Sequence, residues 1–233
     1  MKVTLINYTA DAVNLLLFTK QTRLNMTPGL MAEIAAWPAE KKGAELAYMA
    51  RTIRSSWEFV DYTFLIEGVT RAIAQQITRT RTASFAMQSM RVTDVREMEI
   101  DNPFRLRHGG DRDLANIGTF DAAAEDARIA YKTLVDNGAP FEDARGILPL
   151  NTTCNLVAKY NLRSLVDVIA TRSSLRAQGP YAQIAREMRA AVLNVHPEFF
   201  PFFNDPREGK ARPGRSRKRW ICFASRGERN DLH

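Results

Sequence analysis

Residues 59–69 read FVDYTFLIEGV, a stretch so dense in aromatic and β-branched side chains that it is expected to form a strand. Helical spacing stands on both sides of it. Residues 30–37 and 40–54 read as two helices parted by Pro38, and residues 70–78 read as a third. A strand needs partners, so a small sheet flanked by these helices is expected. Candidate neighbours are Lys2–Tyr8, which alternates apolar and polar residues, and residues 148–160, which look extended. After the first strand the chain carries Val13, Leu16 and Leu17 at helical spacing to about Lys20. Residues 120–135 are expected as a strong amphipathic helix stopped by Asn137 and Gly138, and a short helix over 142–145 follows Pro140. Residues 161–173 and 181–195 read as a C-terminal helical portion. Residues 94–118 show little periodicity, and HGGDRD at 108–113 reads as a mobile loop. The expected fold class is α+β, a small mixed or antiparallel sheet flanked by helices, forming one domain over 1–204. A basic Pro/Gly/Arg tail occupies 205–233.

Several chemistries are disfavoured at once. Cys154 and Cys222 lie far apart with no paired spacing, which suggests neither a disulfide framework nor a zinc site. His108, His196 and His233 are the only histidines, and none stands at metal-ligand spacing, so no metal is expected. No stretch approaches the roughly 20 apolar residues of a membrane span, and MKVTLINYTADAV lacks a signal-peptide core, so no membrane association and a cytoplasmic location are expected.

The formal net charge is +7, which favours anionic partners. Part of the excess sits in the tail. The remaining arginines gather at 79–91 and 145–176, a distribution suited to a phosphate pocket more than to a long polynucleotide groove. The densest cluster is RTRTASFAMQSMR at 79–91, where arginine forks, backbone N–H groups and a serine hydroxyl could together hold an anion. Its bland reading is a solvated strand with surface arginines.

These residues resemble the flavin-dependent, X-type thymidylate synthases. That family carries the signature RHR, two residues, S, one residue, NE, one residue, S, one residue, RY. Arg79, Arg81, Ser84, Ser89 and Arg91 match its spacing, with Thr80 in place of the His, Ala86 of the Asn, Met87 of the Glu and Val92 of the Tyr. ARGILPLN at 144–151 is similar to the family's Arg-x-x-Leu-Pro segment. NLRSLVDVIATRSSLRAQ at 161–178 is similar to its Asn-x-Arg-Ser-Leu helix and following catalytic arginine, and SSWEFVDYTF at 55–64 to its Ser-Pro-Phe-Glu segment.

The resemblance implies C5 methylation of a uracil nucleotide, UMP or dUMP, with FAD as cofactor and NADPH and 5,10-methylene-tetrahydrofolate as cosubstrates, in a homotetramer with shared active sites. It implies Arg172 as the catalytic arginine polarising the uracil. Nucleotide contacts are implied for Gln76, Gln88, Ser89, Met90, Arg91, Arg145 and Arg172, with Ser89 and Arg91 coming from a neighbouring subunit. Flavin contacts are implied for Ser55, Glu58, Arg79, Thr80, Arg81, Asn161, Arg163, Asp167 and Arg176, where Asp167 replaces an Asn and Arg176 a His. No cysteine nucleophile is implied. The bland reading of Arg163 and Asp167 is an i,i+4 ion pair on a helix surface. Losing the signature's His, Asn, Glu and Tyr implies a shifted or widened substrate range, as in the branch of nucleoside-antibiotic pathways that accepts a ribonucleotide. Alternatives are ordinary dTMP synthesis, hydroxymethylation of a pyrimidine nucleotide, a silent nucleotide-binding paralogue, and a nucleic-acid-binding protein.

Overall fold

The computed structural model describes residues 1–22, 26–105, 111–172 and 179–203. A four-stranded sheet organises them in the order β1 (Lys2–Tyr8), β2 (Asp61–Thr70), β4 (Thr153–Asn161), β3 (Ala83–Met87), and every neighbouring pair is antiparallel. The expected small sheet is therefore present in its antiparallel form, with the aromatic stretch as one central strand and the 148–160 segment supplying the other. Alternation fixes the register. Tyr62, Phe64 and Ile66 of β2 face the core beside Tyr160, Ala158 and Leu156 of β4, all essentially solvent-free. Slippage between Ile66 and Val69 is absorbed by Gly68, whose φ of +64° suits a residue without Cβ; its N–H donates to Asn155 Oδ1 at 2.9 Å.

Helices cover the apolar face. α1 (Ala12–Gln21), α2 (Leu30–Ala35) and α3 (Ala39–Thr52) pack with α7 (Leu162–Arg172), α8 (Gly179–Val195) and α9 (Phe200–Phe203) around one core that includes Leu16, Met49, Trp57, Leu165, Ile184, Met188 and Phe202. Pro38 separates α2 from α3 as its missing N–H and fixed φ require. Two helices start on side-chain caps. Thr70 Oγ1 accepts from the Ile73 amide at the start of α4 (Arg71–Ile77), and Asn161 Oδ1 accepts from the Ser164 amide at 2.8 Å at the start of α7. Asn161 thus ends β4 and caps the next helix.

α5 (Asp111–Asp136) departs from expectation. It begins well before residue 120, so Asp111–Asp113 of the expected loop are helical, while residues 108–110 lie outside the described residues. It is also less amphipathic than its sequence suggests, leaving Leu114, Ile129 and Leu134 exposed. Its end is as expected: Gly138 at φ +86° donates to Val135 O and Ala139 donates to Leu134 O, a Schellman closure. α6 (Phe141–Ala144) and a 3-10 turn (Arg145–Ile147) follow Pro140. A second, smaller apolar cluster of Met90, Val95, Tyr131 and Ala144 fastens α5 and α6 to the chain beyond β3. The basic tail lies outside the described residues. Among the described residues no helix is long and apolar enough to cross a membrane, and no group of His, Cys, Asp and Glu could hold a metal ion.

Candidate active site

The small cluster sets the first part of the site. With Met90 buried in it, Ser89 and Arg91 on either side are turned outward. Ser89 Oγ accepts from the Arg91 amide at 3.1 Å, a local turn that aims the arginine. Arg91 Nε meets Glu142 Oε2 at 2.5 Å, and Arg145 Nε donates to the Glu142 carbonyl at 3.1 Å. A single chain therefore gathers Ser89, Arg91 and Arg145 around Glu142, which the sequence did not single out. The Met90 side chain is buried in this cluster, so its main chain is what it offers a ligand. Gln88 is committed too, since its Oε1 accepts from the Asn155 amide at 3.1 Å and its carbonyl from Arg71 Nη1 at 3.4 Å.

The second part forms where α7 meets a 3-10 turn (Ser55–Phe59). Arg163 Nη1 holds Glu58 Oε1 at 2.6 Å, and Arg54 Nη2 holds Asp167 Oδ1. The bland reading, an i,i+4 pair between Arg163 and Asp167, gives way to two ion pairs that cross between turn and helix. Ser164 Oγ donates to Thr82 O at 3.2 Å, tying the α4–β3 turn to the start of α7. That turn exposes Arg79 and Arg81, with half-buried Thr80 between them, and Gln76 lies half-buried on α4 just before it.

Arg172 ends α7 as the third part. Its guanidinium lies 4.6 Å from the centroid of the Tyr181 ring, a cation–π stack delivered by the first turn of α8. Burial raises the Tyr181 phenol, while Arg172 and Thr80 act in the opposite direction without completing a hydrogen bond of normal geometry. Tyr160 is raised by burial and by Tyr181, so both phenols stay protonated. Burial also raises the Cys154 thiol, which makes it a poor nucleophile. Arg176 and Cys222 lie outside the described residues.

Charge is the common property of the three parts. Among the described residues Arg79, Arg81, Arg145 and Arg172 have no carboxylate partner, so each part carries unneutralised positive charge. None of the sequence-predicted residues lines the cavity of about 650 Å³ between Gly68–Thr70, Glu99, Asp101, Asn151 and Gln183. Apart from buried Met90, those described are exposed or half-buried elsewhere on the surface. Arg54, Glu142 and Tyr181 escaped sequence reasoning because nothing local marks them; Arg54 and Asp167, for example, are 113 positions apart.

The model of the family described as thymidylate synthase complementing protein matches residues 4–198. A flavin-dependent thymidylate synthase of Nitratidesulfovibrio vulgaris is 34% identical over 170 residues, covering 69% of this chain and 68% of the relative. One of Geobacter sulfurreducens is 34% identical over 148 residues, covering 63% and 62%. Among solved structures, a UMP/dUMP methylase, PolB, from Streptomyces cacaoi bound with 5-Br dUMP superposes with a TM-score of 0.71. It covers 87% of this chain and 94% of that one at 22% identity, a likeness of fold.

Proposed function

This chain belongs to the family of thymidylate synthase complementing proteins, and from that premise we propose that it is a flavin-dependent methylase placing a one-carbon unit on C5 of a uracil nucleotide. The observation that carries the reading is the gathering of Arg91 and Arg145 on Glu142 beside Ser89. Paired guanidiniums with a hydroxyl suit a nucleotide phosphate, which accepts bidentate hydrogen bonds.

The second part of the site fits FAD by charge and donor chemistry. Arg79 and Arg81 offer free guanidiniums to a diphosphate, and Ser164 keeps their turn against the α7 end that carries Asn161 and Arg163. Ser55, Glu58, Thr80 and Asp167 complete the set, with Arg176 assigned by resemblance. Bound flavin supplies the hydride that completes the methyl group, with NADPH and 5,10-methylene-tetrahydrofolate as cosubstrates.

The protein's own work is position and field. Arg145 and Gln76 hold the nucleotide while Ser89 and Arg91 hold its phosphate. Arg172, kept in place by its stack on Tyr181, stabilises negative charge developing on the uracil carbonyl as C5 reacts. No cysteine attacks the ring; Cys154 is buried and its thiol stays protonated. Because these residues lie at the surface, a neighbouring copy is needed to enclose them, which supports a homotetramer with shared sites. Met87 and Ala86 remove a carboxylate and an amide beside the sugar, which supports acceptance of UMP as well as dUMP and a role in making a modified nucleoside such as an antibiotic. Ordinary dTMP synthesis and hydroxymethylation share this geometry and differ in substrate and product mass.

The test is a visible spectrum of the purified protein, then tritium release from C5-labelled UMP and dUMP with methylene-tetrahydrofolate and NADPH. A yellow protein that releases label from both nucleotides is expected. Strict dUMP preference would overturn the widened range, and a colourless protein that FAD cannot reconstitute would overturn the methylase reading.

A further inference from the structure

Three of the polar side-chain atoms buried without a hydrogen-bond partner among the described residues lie within four consecutive positions: Arg54 Nε, Ser56 Oγ and Trp57 Nε1. Such atoms are few in native proteins because each forfeits its hydration, so their concentration here marks a segment held in place against an unfavourable term. Arg54 shows what holds it. Its guanidinium lies over the Trp57 ring at 5.0 Å to the centroid, and Nη2 engages the Asp167 carboxylate on α7. One turn nearer the helix start, Arg163 reaches in the opposite sense to Glu58 on the same 3-10 turn. Base on the turn meets acid on the helix, and acid on the turn meets base on the helix, so the four charges cancel.

We infer that Arg54 is a positioning residue of the flavin site, whose task is to neutralise and fix the carboxylate of Asp167 so that an anionic cofactor can be accepted beside it. The inference rests on the reading of Ser55, Glu58, Arg163 and Asp167 as flavin contacts. FAD carries a diphosphate, and a free carboxylate among its contacts would repel it. Arg54 is the cation that engages this carboxylate among the described residues. A half-exposed ion pair stabilises a fold little, and Arg54 leaves its own Nε without an acceptor, so fold stability alone does not account for the residue. Cancelling Asp167 explains why a guanidinium is held at this spot.

The experiment is titration of the flavin-free full chain with FAD, followed by quenching of flavin fluorescence, at about 50 mM and about 500 mM salt, where the screening length falls severalfold. Arg54→Gln keeps much of the side chain's length and polarity while removing its charge. Its Kd for FAD is expected to rise roughly three- to tenfold at low salt and less than about twofold at high salt. Adding Asp167→Asn to Arg54→Gln is expected to restore the Kd to within about twofold of the unaltered chain. Should Arg54→Gln fail to fold by circular dichroism, Arg54→Lys replaces it, expected to hold the FAD Kd within about threefold because the charge is kept. A deficit that persists at high salt, or that Asp167→Asn leaves in place, would mean that Arg54 acts through its packing on Trp57, and the inference falls. Equal FAD affinity of Arg54→Gln and the unaltered chain overturns the inference alone, whereas an unaltered chain that binds no FAD overturns the site reading and the inference together.

Discussion

Replacing Glu142 by Gln should tighten the binding of uridylate, although the substitution removes an ion pair. Glu142 competes with the phosphate for Arg91: Nε and Oε2 stand 2.5 Å apart, with the two side chains 67% and 44% exposed. An exposed pair of this kind is worth about 0.5 kcal/mol, which the ligand must give up to take the arginine. A carboxylate about 6 Å from a doubly charged phosphate adds repulsion of ~1.4 kcal/mol in water, roughly halved by physiological salt. The sum is about 1 kcal/mol, or close to fivefold in Kd. Gln keeps the shape, and the bond from Arg145 Nε goes to the main-chain carbonyl of residue 142, so that arginine stays aimed. Calorimetric titration with dUMP and UMP at low and high salt is the assay, with the gain expected to shrink as salt rises. Weaker binding by Glu142→Gln at low salt would show that the carboxylate orders the clamp instead of competing for it, and would refute the argument.

Two further outcomes test other parts of the molecule. Arg172→Ala is expected to lower kcat by about two to three orders of magnitude, the usual cost of losing a fixed electrostatic stabiliser, while uridylate binding weakens by roughly tenfold; steady-state kinetics beside equilibrium titration separates the two. His196 is buried against Phe199, with Nδ1 2.9 Å from the Tyr62 hydroxyl, and burial holds its pKa below the ordinary value of 6.5. The unfolded chain therefore binds a proton that the folded chain resists: this stability is fully present above about pH 6.5 and is lost as pH falls towards the lower folded value. Urea denaturation across that interval should show the loss, and His196→Gln should flatten it at lower overall stability.

Elements were legible wherever a local pattern sufficed. β1 and the aromatic β2 follow from alternation and composition, Pro38 divides α2 from α3, and Asn137–Gly138 ends α5, because each of these signals acts within a few residues. The start of α5 was not legible: Asp111–Asp113 follow glycines in a polar run that carries no apolar period. The same division runs through the site. Spacing placed Arg79, Arg81, Ser89 and Arg91 on one segment, and an independent segment gave Arg145 and Arg172. It could not tell that Met90 points inward, that Glu142 sits between two of the arginines, or that Arg163 and Asp167 bond away from each other. Those facts depend on which helix lands beside which turn.

The site departs from its family's pattern in a particular way. Every arginine of the signature stands, while four of its other positions are changed: Thr80, Ala86, Met87 and Val92 replace His, Asn, Glu and Tyr. The structure gives a reason why these two groups can vary separately. Arg91 and Arg145 are aimed by the small cluster of Met90, Val95, Tyr131 and Ala144, which is separate from the main core. Ala86 and Met87 sit exposed on β3, an edge strand that pairs on one side only, with β4. Ala86 stands opposite half-buried Val157 and Met87 opposite buried Leu156, both outside the small cluster, so a substitution there leaves the support of Arg91 and Arg145 intact. Asp167, which stands where the family's pattern has an Asn, comes with Arg54 set against it. Edge-strand positions can therefore change with little effect on the fold or on the support of Arg91 and Arg145, and two of the four departures from the signature, Ala86 and Met87, fall there.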